Sequence, residues 1–148
     1  MTLRFIDVTN LSGQIVEPIW LSRAELVHRQ LRTELGEHYE QRLKKVFAGG
    51  ARMTIAVKNE QVLGVAVWRA IENTYEGKRF YIDDLVTDEA HRSEGVGKAL
   101  LTQMETVARQ LKCDMFTLDS GSQRTQAHAF YFREGMHISS FCFRKKLL

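Results

Sequence analysis

The chain has 148 residues and a net charge of +3, with 44% hydrophobic and 26% charged residues. That length allows one domain with a sizeable core, and the composition is that of an ordinary soluble globular protein. No apolar run approaches the ~20 residues of a membrane span, and the N-terminus lacks the basic and then apolar pattern of a signal peptide. The charge is mild and spread along the chain, so it suits an anionic ligand. We expect neither a membrane nor a nucleic acid as a partner.

The cysteine and histidine pattern argues against a metal site. The two cysteines, Cys113 and Cys142, and the five histidines occur in no metal-ligand or catalytic-triad spacing. Two isolated cysteines are most simply free thiols in a reducing compartment. The sequence therefore predicts a cytoplasmic protein without a bound metal.

The first third of the chain predicts one strand and two helices. Residues 3–9 have the pattern of a strand. Apolar positions at helical spacing then predict a helix that begins either near Pro18 or at the capping box Ser22–Glu25. A second helix, with apolar residues from 39 to 47 on one face, ends at Gly49.

The middle of the chain changes to the period of β-strands. Apolar and polar residues alternate over 53–58, and another strand follows over 62–69. The tight-turn sequence Asn59-Glu60 lies between them, so the two segments predict an antiparallel hairpin. A third strand is predicted over residues 80–87.

The second half predicts two further helices and the strands around them. The helix after Gly97 has one apolar face. A buried strand over residues 113–118 and a short helix over residues 125–134 follow, and residues 138–146 close the chain as one or two strands. The order β-α-α-β-β-β-α-β-α-β predicts an α/β fold. We expect a single domain over residues 1–148, with a mixed sheet flanked by helices.

A glycine-containing loop joins the strand that ends at Thr87 to the following helix. Its sequence is Arg-Ser-Glu-Gly-Val-Gly-Lys, residues 92–98. Glycines let backbone N–H groups close on a phosphate, and the helix N-terminus adds its positive dipole end. A Rossmann fingerprint starting at Gly95 fails at Leu100, and a Walker A loop fails at Ala99. The remaining pattern is Arg-x-x-Gly-x-Gly.

Three motifs occur together in the second half of the chain: Asp83-Asp-Leu-Val-Thr87, Arg92 to Ala99, and Ala127-His-Ala-Phe-Tyr-Phe-Arg-Glu-Gly-Met136. In their order and usual spacing they resemble the GNAT superfamily of acyl-CoA-dependent N-acetyltransferases. The resemblance covers residues 81–136, a little over a third of the chain, and the first half matches in element order only. It implies the GNAT fold, a single N-acetyltransferase domain, and acetyl-CoA as cosubstrate without a metal.

The resemblance also implies which residues hold the coenzyme. Backbone amides of the loop bind the pyrophosphate, and backbone amides after the bulge of the central strand bind the oxyanion of the reacting carbonyl. Arg124 stands where the family often has an asparagine that contacts the coenzyme. The predicted coenzyme contacts are Leu85, Val86, Thr87, Arg92, Ser93, Glu94, Gly95, Val96, Gly97, Lys98 and Arg124.

Two loop positions depart from the family's usual residues. Ser93 and Glu94 replace the glycine and lysine that are common there. A carboxylate beside a pyrophosphate is unfavourable unless it points away, so we expect Glu94 to face solvent. Lys98 either adds positive charge to the site or is only a solvated helix residue.

The reaction needs a base, because a free amine has a pKa near ~10.4 and arrives protonated at neutral pH. By resemblance Asp83 matches a glutamate that serves as the base in several family members. Asp84 is its neighbour and is expected on the opposite face of the strand. Asp83, Asp84 and water alone all remain candidates.

The departing thiolate needs an acid, and Tyr131 matches the family's general acid. The pKa of a phenol, ~10, is close enough to that of a thiol, ~8.5, for a tyrosine to protonate the thiolate. The alternative is that Tyr131, in the aromatic run from Phe130 to Phe132, serves only in packing.

Two functions follow from these residues. The leading one transfers an acetyl group from acetyl-CoA to an amine of a small molecule or peptide by direct attack in a ternary complex. The alternative is a non-catalytic coenzyme A-binding module, which would need neither Asp83 nor Tyr131. Several acidic residues would suit a cationic acceptor, although such residues are often only solvated: Glu34, Glu37, Glu40, Glu72 and Glu76.

The closing segment suggests an assembly. Phe141, Cys142 and Phe143 place apolar side chains on both faces of the predicted last strand. Such a strand is often covered on both sides or paired with another chain. We therefore expect a homodimer that uses the C-terminal strands.

Overall fold

The computed structural model describes residues 2–148. They form two compact units, one ending at Thr117 and one beginning at Leu118. The described elements are β1 (Arg4–Asp7), α1 (Pro18–Leu31), α2 (Tyr39–Ala48), β2 (Arg52–Lys58), β3 (Gln61–Asn73), β4 (Gly77–Thr87), α3 (Val96–Gln110), β5 (Met115–Leu118) and α4 (Thr125–Arg133), with a 3-10 turn at Glu89–His91. The predicted α/β fold with a mixed sheet is confirmed.

The strands form one five-stranded sheet in chain order, β1-β2-β3-β4-β5. The first four are antiparallel neighbours. The predicted β2–β3 hairpin is present, and both Asn59 and Glu60 have positive φ, 53° and 61°, as a two-residue hairpin turn requires. The N–H of Asp114 donates to the carbonyl of Lys78 at 2.7 Å, and Thr117 Oγ1 donates to Phe80 O at 3.1 Å. From the first contact to the second, the residue numbers increase on both strands, so β5 runs parallel to β4.

Helix α1 begins at Pro18, the earlier of the two predicted starts. Proline is favoured there because the first helical N–H has no partner in the helix, and its fixed φ is already helical. The capping-box residue Ser22 lies inside the helix, so its capping potential is not used.

The alternation of β2 and β3 separates two apolar layers. Met53 and Ile55 of β2 and Val65 and Val67 of β3 belong to the buried cluster under α1 and α2. The opposite face of β3 carries Gly64, against which α3 packs. This close approach fixes the position of the N-terminal turn of α3 over the sheet.

The pairing of β4 with β3 contains a bulge at Asp83. Val67 pairs with Asp84, and the next residue, Trp68, pairs with Ile82, so Asp83 has no partner of its own on β3. Paired residues share a sheet face, and Val67 and Trp68 point to opposite faces. The extra residue therefore places Asp84 on the α1 side and Ile82 on the other side.

The strand predicted over residues 138–146 is not formed, and this part of the prediction is wrong. Within residues 2–148 the segment after Arg133 contains no helix or strand. Phe141 and Phe143 are 83% and 93% exposed. A strand needs a neighbour to pair its backbone groups, and an apolar pattern alone does not supply one.

Two smaller features of the described residues complete the fold. Strand β5 was predicted to be buried, but Met115 at its start is 46% exposed. No helix among residues 2–148 combines the length and apolar character that crossing a membrane requires.

Replacing Gly64 by valine should destabilise the protein. A Cβ at Gly64 would lie 3.1 Å from Leu100 Cδ2 and 3.2 Å from Val96 Cγ1, so a larger side chain must push α3 off the sheet. Overpacking of this kind costs about 1–3 kcal/mol, which urea unfolding would measure. Gly49→Ala is the control, since its nearest neighbour would be a carbonyl oxygen at 3.4 Å. Equal stability of Gly64→Val and the parent would contradict the close packing of α3.

Candidate active site

A cavity of about 570 Å³ opens over the bulge, with walls from α1, the segment after it, α2, β3 and β4. Both base candidates, Asp83 and Asp84, line it. The expectation that these neighbours point to opposite faces is wrong, because the bulge interrupts the alternation at Asp83. The bulge therefore brings two carboxylates to one cavity.

Asp84 is held by two basic side chains of α1 and its C-terminal end. His28 Nε2 lies 2.7 Å from Oδ2, and Arg32 Nε donates to Oδ1 at 2.6 Å. Burial raises the pKa of Asp84, but the hydrogen bond from His28 and the charges beside the carboxyl outweigh it, so the pKa lies below its ordinary value. Asp84 is therefore charged at neutral pH.

A hydrogen-bonded chain continues behind Asp84 into the core. His28 is 1% exposed, and its Nδ1 lies 2.8 Å from the hydroxyl of Tyr39. Burial, reinforced by the charge of Glu25, raises the pKa of Tyr39, so its phenol keeps the proton. Tyr39 and Asp84 therefore occupy the two ring nitrogens of His28, so each polar atom of the buried imidazole has a partner.

Asp83 has a different partner on β3. Arg69 Nε donates to Oδ1 at 3.0 Å and Arg69 Nη2 to Oδ2 at 2.6 Å, the paired geometry of a strong arginine–carboxylate interaction. This hydrogen bonding raises the pKa of Arg69. The guanidinium also donates to the carbonyl of Gly49 at 3.3 Å, which ties β3 to the end of α2.

The two carboxylates differ in access to the cavity. The Asp83 side chain is 25% exposed and the Asp84 side chain 13%. Asp84 is also part of the buried chain to Tyr39, whereas the Asp83 carboxylate is bonded to Arg69 on the neighbouring strand. The geometry thus favours Asp83 over Asp84 as the base, and that role stays a prediction.

The predicted oxyanion donors are the backbone amides of residues 85–87, and β4 orients them alternately. The N–H of Asp88 donates to the carbonyl of Leu63 at 2.8 Å, in the same register as the pairs before it. In an antiparallel pair of strands, every second residue directs its N–H to the neighbouring strand. Val86 lies two residues before Asp88, so its amide also faces β3. The amides of Leu85 and Thr87 point the other way, where β4 extends past the shorter β5. We therefore expect Leu85 and Thr87, rather than Val86, to supply donors.

The predicted coenzyme loop has the backbone shape of an anion site. Gly95 is the N-cap of α3 with φ 83°, and a Cβ there would have no neighbour within 4 Å. Glycine is therefore required by the backbone angle and not by crowding within the protein. Ser93 also has a positive φ, 65°. The first turn of α3 has neither a side-chain cap nor an acidic residue, so its N–H groups remain available.

The charged residues of the loop differ in whether they have ion-pair partners. Glu94 is exposed and pairs with His91, whose Nδ1 lies 3.1 Å from Oε2, as expected for a carboxylate that points away from an anion. Arg92 and Lys98 are exposed, and the ion pairs formed within residues 2–148 include neither of them. Gln30 of α1 anchors the start of this region through Asp88 and the amide of Glu89.

The second unit contains the remaining predicted residues, Arg124 and Tyr131. Arg124 is the N-cap of α4, and Tyr131 lies on that helix with its ring centroid 5.3 Å from that of Phe130. Burial raises the pKa of Tyr131, and the charge and hydrogen bond of Arg124 offset part of the rise. The phenol is therefore protonated at neutral pH, as a general acid must be.

Three residues that bind the carboxylates were not predicted from the sequence: His28, Arg32 and Arg69. His28 continues the apolar stripe of Ala24 and Val27 on α1, and that position was a signal that the side chain is buried and bonded. Arg32 and Arg69 gave no comparable signal, because their partners come from β4. No group of three or more potential metal ligands occurs within residues 2–148.

Comparisons with known proteins agree with this geometry. The model of the acetyltransferase (GNAT) family matches residues 19–136. The uncharacterised N-acetyltransferase YhdJ of Bacillus subtilis is 36% identical over 119 residues, 78% of this chain and 84% of that protein. The aminoalkylphosphonate N-acetyltransferase of Salmonella typhimurium is 38% identical over 66 residues, 45% of this chain and 43% of that protein.

Solved structures show the same fold at low identity. The ribosomal-protein-alanine N-acetyltransferase of Brucella melitensis superposes with a TM-score of 0.81 at 10% identity, covering 99% of this chain and 100% of that one. An aminoglycoside acetyltransferase from a soil metagenome has a TM-score of 0.77 at 17% identity, covering 99% and 97%. At these identities the likeness concerns the fold alone.

The charged form of Asp84 should stabilise the fold in a pH-dependent way. Its folded-state pKa is lowered, so the stabilisation is complete above the unfolded pKa of ~3.9 and is lost as the pH falls through the folded-state value. Asp84→Asn should lower the free energy of unfolding at neutral pH by about 1.5–3 kcal/mol. The difference in free energy of unfolding between Asp84→Asn and the parent should become smaller at acidic pH.

Urea unfolding at neutral and acidic pH measures both effects. Glu60→Gln is the control, because Glu60 pairs with Arg4 and Arg23 while its side chain is 70% exposed. Surface pairs of this kind contribute about 0–1 kcal/mol. A constant difference between Asp84→Asn and the parent at every pH would contradict a lowered pKa.

Proposed function

Because the chain belongs to the GNAT acetyltransferase family, we propose that it is an acetyl-CoA-dependent N-acetyltransferase. It moves the acetyl group to an amine of a small molecule or peptide by direct attack in a ternary complex. The observation that carries this proposal is the bulge in β4, which turns Asp83 and Asp84 to one cavity immediately before the amides of Leu85 and Thr87.

The loop before α3 suits the diphosphate of coenzyme A. The uncapped N–H groups of the first helical turn and the exposed Arg92 and Lys98 supply donors and positive charge. The open space around Gly95 lets an anion approach the backbone. By resemblance, Arg124 would add a further cation in the place of the family's usual amide.

In the proposed reaction, residues of this chain stabilise the developing negative charge and move the two protons. Acetyl-CoA supplies the activated thioester. The amides of Leu85 and Thr87 stabilise negative charge on its carbonyl oxygen while the amine attacks the carbonyl carbon. Asp83 takes the proton of the amine, directly or through water, and Tyr131 gives a proton to the departing thiolate sulfur. The C–S bond breaks as the C–N bond forms.

Two observations guide the choice of acceptors to test. The Salmonella relative is an aminoalkylphosphonate N-acetyltransferase, so aminoalkylphosphonates belong in the panel beside simple amines, diamines and peptides. Of the five glutamates that would suit a cationic acceptor, Glu34 lines the cavity. Thiol release from acetyl-CoA reports turnover for every member of the panel.

The free thiols suggest where the protein works. Cys113 and Cys142 form no disulfide, and reducing conditions preserve such thiols. We propose that the enzyme works in the cytoplasm.

Gly95→Val should abolish coenzyme A binding while leaving the fold largely intact. A β-branched residue strongly disfavours φ 83° and narrows the approach to the backbone. Gly36→Val is a matched control, because Gly36 has φ 82° and the same open space around its Cβ but lies between α1 and α2. Both variants carry similar backbone strain, and calorimetry should show lost binding in Gly95→Val alone. Equal affinities of both variants and the parent would overturn the assignment of the loop.

Tyr131→Phe should lower kcat about 10²–10⁴-fold, the usual effect of losing a positioned proton donor. The ring stays, so packing and coenzyme affinity should change little, and the loss should appear mainly in kcat. Tyr75→Phe makes the same change at a tyrosine that is 73% exposed and should have no effect. Undiminished turnover by Tyr131→Phe would exclude Tyr131 as the acid. Coenzyme binding without acetylation of any amine in a broad panel would favour a non-catalytic binding module.

We also propose that two copies pair through residues 138–146. Phe141 and Phe143 are largely exposed, and the segment has no strand partner within residues 2–148. A strand from a second copy would pair the backbone and cover both aromatic rings.

Light scattering at micromolar protein should therefore give the mass of a dimer. Replacing Phe141 and Phe143 by glutamate should give a monomer, because like charges would face the partner strand. A monomeric parent would contradict this assembly.

A further inference from the structure

The cavity is lined by more positively charged side chains than negatively charged ones. Four cationic side chains line it, Arg32, Arg42, Lys45 and Arg69, against three carboxylates, Glu34, Asp83 and Asp84. Arg32 pairs with Asp84, and Arg69 pairs with Asp83. The ion pairs within residues 2–148 include neither Arg42 nor Lys45, and Glu34 is the single remaining acid. The unpaired charge of the cavity is therefore positive.

The two unpaired cations share one wall. Arg42 and Lys45 lie three residues apart on α2, so their side chains occupy the same side of the helix. Lys44 between them extends from another side, where its ammonium lies 3.7 Å from Glu40 in an i,i+4 pair. Helix α2 therefore carries one paired lysine, Lys44, and two cations that line the cavity, Arg42 and Lys45.

A different wall of the same cavity, formed by β4, holds the predicted reaction centre. Asp83 and Asp84 project from β4, with their arginine partners beside them. An amine at Asp83 would place the rest of the acceptor toward α2. A substituent of negative charge would then meet two cations that have no other ion-pair partner.

We infer that the acceptor is an amine that carries an acidic group, such as a phosphate or a carboxylate, which Arg42 and Lys45 bind. This inference rests on the proposed acetyltransferase function. Arginine offers two parallel donors to an oxyanion and lysine adds a point charge, so the two together suit a group with several acceptor oxygens. Glu34 at the rim disfavours a second acidic group on the same molecule.

Phosphoethanolamine and ethanolamine form a matched pair of probes, because they differ only in the phosphate. The parent should acetylate phosphoethanolamine with the higher kcat/KM, and β-alanine should also exceed ethanolamine. Arg42→Gln and Lys45→Gln should each lower kcat/KM for phosphoethanolamine about 10-fold or more, and leave ethanolamine unchanged. Added salt should reduce the preference, since both cations are exposed.

Lys44→Gln is the matched control, because it removes a lysine from the same helix without changing the cavity wall. It should leave both amines unaffected. A parent that acetylates ethanolamine as well as phosphoethanolamine, or a double variant Arg42→Gln/Lys45→Gln that loses both amines equally, would overturn the acidic-group assignment while the acetyltransferase function stands.

A binding measurement separates this inference from the function on which it rests. Calorimetric titration of phosphoethanolamine into the protein saturated with coenzyme A should show binding that the double variant loses and Lys44→Gln keeps. If no amine is acetylated but this pattern appears, the anion site stands and the enzymatic proposal fails. If phosphoethanolamine binds neither with coenzyme A nor without it, the inference is wrong.

Discussion

A single unpaired residue in β4 determines the layout of the candidate site. Asp83 has no partner on β3, and the strand before it is therefore rotated relative to the strand after it. Ile82 faces one apolar layer, and Asp84 faces the other, beside His28. Without the bulge one of the two carboxylates would point away from the cavity. The alignment of Leu85 and Thr87 toward the open edge depends on the same register.

The basic partners of the two carboxylates keep this arrangement rigid. His28 of α1 and Arg32 at its C-terminal end bind Asp84, and Arg69 of β3 binds Asp83. Groups held in one geometry need no reorganisation when charge develops nearby. The paired geometry of Arg69 also fixes the orientation of the Asp83 carboxylate, because both of its oxygens are bonded. Asp83 is thus oriented by the sheet itself rather than by a mobile loop.

Local sequence signals predicted much of the fold, and tertiary contacts decided the rest. The Asn59-Glu60 turn and the apolar stripe of α3 are local features, and both were predicted correctly. The glycine loop was located from its spacing, and the φ of Gly95 agrees with it. The partners of Asp83 and Asp84 were not predictable, because Arg69 and Arg32 meet them only through strand pairing and helix docking. Residues 138–146 have a strand pattern but no neighbour in the described chain.

The cavity draws all of its lining residues from positions 28–84, whereas the predicted coenzyme contacts begin at Leu85. Under the proposed function, chain order would separate the residues that select the acceptor from the residues that hold acetyl-CoA. Substitutions on α1 and α2 can alter acceptor choice without touching the loop before α3, because effects at separate sites are largely independent. A lineage with this architecture can diverge in substrate while keeping its chemistry. On this proposal, the recognisable motifs of the second half belong to the coenzyme site.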